Sequence, residues 1–129
     1  MTHAEDRRRK RSADPLIALH YQLSHARQDG SLETIVLADP SGVVVAGAGS
    51  WAACEELAAY APLLAQGMSE ADGPVGSRIA SMRSEVEVRH LKISGQEVLL
   101  CVRTQTQTAA RDGAIARAAA GVSRILSAA

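Results

Sequence analysis

"LADPSGVVVAGAGS", residues 37–50, decides how this chain folds. An apolar run ends at Asp39-Pro40-Ser41-Gly42, and a second begins at once with Val43-Val44-Val45. Asp at the first position of a turn, Pro preset at the second and Gly at the fourth is type I turn chemistry. Strands joined this briefly run antiparallel, because a parallel return needs a crossover of about a dozen residues. The stretch therefore predicts a β-hairpin made of residues 31–38 and 42–47. Its tail, Ala46-Gly47-Ala48-Gly49-Ser50, raises a second question: small glycine steps before a helix can cradle a phosphate. The spacing is neither G-x-G-x-x-G nor a P-loop, which ends in Lys-Ser/Thr. A dinucleotide-binding turn also needs a parallel β–α–β unit, and here the preceding strand is the second arm of a hairpin. The glycines are read as the bend that hands the strand to a helix capped by Ser50.

Helical periodicity lies on both sides of the hairpin. In "ADPLIALHYQLSHARQDG" Asp14 is placed as N-cap, Pro15 suits the first helical position, and Leu16, Leu19, Leu23 and Ala26 form one stripe that stops at Gly30. "WAACEELAAYAPLLAQ" sets Cys54, Leu57, Ala58, Ala61 and Leu64 on one face, with Pro62 expected to kink the helix or end its regular part. Residues 66–77 have loop composition, and 77–82 suit either a lead-in strand or a helical turn.

The second half repeats the hairpin. "SEVEVRHLKI" alternates Val86, Val88 and His90 against Glu85, Glu87 and Arg89; Ser94-Gly95 turns the chain; "EVLLCVRT" is apolar on both sides at its centre and so predicts an interior strand. A closing helix presents Ile115, Ala118, Val122, Ile125 and Leu126, with Arg111, Arg117 and Arg124 turned away from most of that face. The order α-β-β-α-β-β(-β)-α predicts an α+β domain: an antiparallel sheet of about five strands sandwiched by helices.

Composition narrows the function classes. At 129 residues, 47% hydrophobic, the chain is one domain's worth, and with no Phe its core is built from Leu, Ile, Val and Ala. Residues 1–12 carry a local charge of +3 within a net charge of zero. They are read as a disordered basic N-terminal arm ahead of a domain over 13–129. Contact of Arg7, Arg8, Arg9, Lys10 and Arg11 with nucleic acid or an anionic membrane is the subordinate reading. No apolar run reaches the roughly 20 residues of a membrane span. Cys54 and Cys101, far apart and without C-x-x-C spacing, point to buried thiols in a cytoplasmic protein.

No constellation argues for catalysis. His20 and His25 are five residues apart and leave one helical face, and His90 with Cys101 lacks a third ligand, so no metal is expected. Cys101 sits mid-strand in an apolar run, where a thiol is inert. Asp39 is a turn residue, and Ser41, Ser50 and Ser69 lack a base. The expectation is a non-enzyme without cofactor. Trp51, the sole tryptophan, stands at the exposed start of a helix beside Glu55 and Glu56, as interface aromatics do.

"IVLADPSGVVVAGAG", "EELAAYAPLLA" and "GQEVLLCVRT" with the alanine-rich helix after it resemble the roadblock/dynein-light-chain domain family, whose fold is profilin-like. The resemblance spans residues 14–128. It implies a homodimer formed through the second helix and the following strand, here Glu55, Glu56, Ala59 and Tyr60 with Glu87, Arg89 and Leu91. It also implies a bacterial module acting beside a small Ras-like GTPase or a related motility or signalling partner. A GAF- or PAS-like small-molecule sensor is the alternative, since those domains also lay helices on an antiparallel sheet.

Overall fold

A computed structural model describes residues 14–66, 73–104 and 109–128. The basic arm and residues 67–72 lie outside the described residues, while residues 73–77, expected as loop, are helical. The elements in chain order are α1 (Pro15–Gly30), β1 (Thr34–Ala38), β2 (Val44–Ala48), α2 (Trp51–Ala65), α3 (Gly73–Arg83), β3 (Val86–Ile93), β4 (Gln96–Arg103) and α4 (Ala109–Ala128). The strands form one antiparallel sheet in the order β2-β1-β4-β3.

Both hairpins form where the turn chemistry places them. The Asp39 carboxylate accepts hydrogen bonds from the Ser41 amide (2.9 Å), the Ser41 hydroxyl (2.6 Å) and the Val43 amide (3.1 Å). Those donors, the Ser41 hydroxyl first, hold its carboxyl below the usual range. At the second hairpin Ser94 and Gly95 both take positive φ, 52° and 81°, the signature of a two-residue type I′ turn between Ile93 and Gln96.

The sheet fills both its faces, as the alternation in β4 predicts. Val98, Leu100 and Val102 join Ile35, Leu37, Leu19, Leu23, Ile115 and Val122 in the cluster beneath α1 and α4. Leu99 and Cys101 join Val36, Cys54, Leu57, Ala58 and Met82 beneath α2 and α3. Each fully buried Leu contributes about 1.5–3 kcal/mol, and the alanines of α2 and α4 let the helices sit close enough to exclude water. Within the first layer α1 and α4 run antiparallel: Gly30 lies against Ala114, and Gly121 against Gln22.

Several details differ from the sequence reading. The sheet has four strands among the described residues rather than about five, because 77–82 belongs to α3, where Ile79 and Met82 supply the helical face. Pro62 does not end α2; the helix runs on to Ala65. Leu16 is 53% exposed, outside the stripe of Leu19, Leu23 and Ala26. The Asp14 side chain makes no cap; α1 does end at Gly30, but the left-handed residue that closes it is Ser31 (φ 51°). Arg111 is only 8% exposed and turns inward, because Glu87 on β3 waits for it at 3.1 Å.

Candidate surface for association

The glycine steps are resolved by what they touch. A Cβ on Gly47 would stand 2.8 Å from Cys54 Sγ, so this residue is small to let α2 settle on the sheet. Gly49 has φ +120°, a conformation closed to side chains, and turns the chain into α2. The Ser50 hydroxyl then accepts from the Ala53 amide at 3.2 Å, capping the helix. Strand, bend and cap serve packing.

Helix α2 sends four residues, Cys54, Leu57, Ala58 and Ala61, into the core. Its solvent side shows Ala52, Glu55 and Ala59, with Leu63 half-buried, a flat surface of small side chains with one carboxylate. Trp51 (59% exposed) stands at its start. Trp51, Glu55 and Ala59 share an open cleft of about 340 Å³ with Gly42, Val43 and Val44 of the first hairpin.

The eight residues expected at the interface do not gather into one patch. Trp51, Glu55 and Ala59 are together on the β2 side of α2. Glu56 lies on the other flank and is held by both donor arms of Arg78 from α3, at 3.1 Å through Nε, with Arg103 at 3.7 Å. The Arg78 hydrogen bond lowers the Glu56 carboxyl below its ordinary range. Tyr60 is half-buried against the α2-side core. On β3, Leu91 packs into the opposite, α4-side core, and Glu87 is bound to Arg89 at 2.7 Å and to Arg111 of α4. Alternation along a strand forces this division: odd-numbered residues of β3 face α4 and even-numbered ones face α2.

The charged face of the 84–93 strand suits an edge that pairs with an identical neighbour, but the sequence reading did not reach the backbone positions that open that edge. In the β3–β4 hairpin a two-residue turn closes on a hydrogen-bonded pair, Ile93 with Gln96, and pairs alternate from there. The Thr104 amide donating to Glu85 O at 3.0 Å fixes the same parity at the far end. The backbone groups of Val86, Val88, His90 and Lys92 therefore point away from β4, along the free edge of the sheet. The Ser94-Gly95 turn was the signal that could have shown this.

The histidines and cysteines take separate places. His25 pairs with Asp29 at 3.3 Å and His90 with Glu97 at 3.5 Å, while His20 turns to Gly47 of β2. Both cysteines are buried, and burial pushes the Cys101 thiol up to about 12 and the Cys54 thiol up as well. Among the described residues no group of three metal-ligating side chains comes together, and no helix is long and apolar enough to cross a membrane.

Two helical layers, one on each face of a β2-β1-β4-β3 sheet, have counterparts among solved structures. Myxococcus xanthus MglB superposes with a TM-score of 0.58 over 86% of this chain and 89% of its own, at 13% identity. The fold is that of MglB. A second solved structure, MglB with a tetrameric arrangement, gives a TM-score of 0.57 and 18% identity over 86% of this chain and 89% of that one. At these identities the likeness to MglB speaks for the architecture, which is the roadblock-like one. No family model matches the sequence, and no curated protein does.

Proposed function

We propose that residues 13–129 form a homodimeric, non-catalytic interaction module that regulates or scaffolds a small Ras-like GTPase, or a related signalling or motility partner, in the bacterial cytoplasm. The observation that carries this reading is the β3 edge. It is eight residues long, keeps an unbroken register with β4, and lies at one end of the sheet. Such an edge is a template for another strand. A second copy pairing antiparallel about Val88 sets Glu87 opposite the partner subunit's Arg89, an attractive cross-strand pair, and joins two sheets across a two-fold axis. The small-residue face of α2, with Trp51, Glu55 and Ala59, then serves as the docking surface for the partner. The MglB-like fold and the roadblock-like residue patterns support the GTPase as that partner, and the tetrameric MglB supports self-association within this fold.

His90→Pro tests the dimer. Its amide faces the free edge, so the proline removes no ladder bond to β4, and proline is tolerated at such positions. Light scattering should give the mass of two chains for the wild type at micromolar concentration and of one for the variant, with far-UV circular dichroism unchanged. A wild-type mass of one chain well above micromolar concentration overturns the dimer. For the partner, the chain is titrated with the small GTPase encoded nearest to its gene, loaded with GDP or a GTP analogue. Equal absence of binding to both forms overturns the GTPase reading.

A further inference from the structure

A sheet of order β2-β1-β4-β3 has two edges, and the proposed dimer uses one of them. The other edge, β2, is treated differently. It is five residues long, and its register with β1 slips between Leu37 and Ala38, so it offers a shorter and less regular template. Its parity follows from the rest of the sheet. Leu37 and Ile35 face β2 and pair with Ala46 and Ala48, which leaves both backbone groups of Gly47 pointing outward. Helix α1 packs along this strand, and His20 reaches down from it. Its Nδ1 lies 3.1 Å from Gly47 O and 3.4 Å from Gly47 N. One imidazole nitrogen thus stands between the two groups that a neighbouring strand would use, donating to the carbonyl in one tautomer and accepting from the amide in the other.

We infer that His20 is an edge guard: it occupies the outward hydrogen-bonding site of β2 and restricts extension of the sheet to β3. The consequence is closure. Two-fold contacts at β3 alone make a dimer and stop. Two-fold contacts at both edges would alternate along the sheet without end, because each dimer would still present two open β2 edges. The residue that keeps such an assembly finite is an exposed histidine on the first helix, 27 residues in sequence from the glycine it covers. The occupant kept out is the β2 edge of a second copy. The guard itself does not depend on the β3 dimer, although the size of the assembly it prevents does.

The test compares the wild type with His20→Ala and His20→Asn by light scattering over rising concentration. Asparagine places an amide atom where Nδ1 stands and should keep the guard. The Ala variant should show a weight-average mass at least roughly twofold above wild type, growing with concentration, while the Asn variant follows the wild type. The double variant His20→Ala with His90→Pro separates the two readings: it should dimerise through β2 alone, whether or not the wild type dimerises through β3. A folded Ala variant whose mass equals wild type at every concentration, alone and with His90→Pro, overturns the guard. The contact is also read without substitution, as nuclear Overhauser effects between the His20 ring and the Gly47 amide in the wild-type chain. A freely averaging His20 ring refutes it whatever the variants do.

Discussion

Gly47→Ala isolates the role of the glycine steps. The new methyl carbon would lie 2.8 Å from Cys54 Sγ and 3.3 Å from Val36 Cγ2, so either α2 lifts or the thiol moves. Overpacking of this kind costs about 1–3 kcal/mol. Against it, Ala loses less backbone entropy than Gly in a strand, returning about 0.5–1 kcal/mol. The net expectation is a loss of about 1–2 kcal/mol, or about 4–8 °C in Tm for a chain of this size. Removing the obstacle should change the sign. Cys54→Ala alone costs about 1 kcal/mol for the lost buried thiol. On that background Gly47→Ala should be neutral or slightly stabilising, leaving a coupling of about 1.5–2 kcal/mol between the two sites. The assay is urea unfolding of the four proteins of the cycle, followed by circular dichroism. A Gly47→Ala variant as stable as wild type, or one whose cost is undiminished beside Cys54→Ala, refutes the packing account.

Other outcomes follow from groups already placed. Glu56 has a lowered folded-state pKa, so its contribution is present above its unfolded value near 4.5 and is lost as pH falls through the lower folded value. Wild type should therefore lose more stability than Glu56→Gln in acid unfolding between about pH 5 and 3, by less than about 1 kcal/mol because the carboxylate is 36% exposed. Cys54 and Cys101 should resist a thiol reagent at pH 8 and react fully in denaturant; rapid native labelling of either would contradict their burial. Trp51→Ala should move stability by no more than about 0.5 kcal/mol yet cost about 2 kcal/mol or more in partner affinity, measured by calorimetry, as befits an exposed aromatic anchor.

The hairpins, the interior strand and the α2 core face were legible because each is written in local terms: turn residues with special dihedrals, and periods of two or 3.6. Residues 77–82 were ambiguous because Ile79 and Met82 are too few to fix a period until α3 is seen packing on the core. Arg111 was misread for a different reason. A helical wheel ranks residues by polarity, and nothing in α4 announces that Glu87, more than twenty residues earlier, will meet its guanidinium. The division of the expected interface residues between two faces was hidden on the same ground. They follow from a resemblance at the level of elements, one helix and one strand, while strand parity divides Leu91 and Glu87 from α2 by the thickness of the sheet. His20 was invisible, since edge protection exists only once the sheet order is known.

The antiparallel packing of α1 on α4 bears on how the molecule can be handled. With Gly30 beside Ala114 and Gln22 beside Gly121, Pro15 and Ala128 come to the same end of the same layer. Both positions lie on the side of the sheet opposite α2. A fluorescent protein or surface tether attached at either position is thus kept away from Trp51 and the α2 surface by the full depth of the sheet.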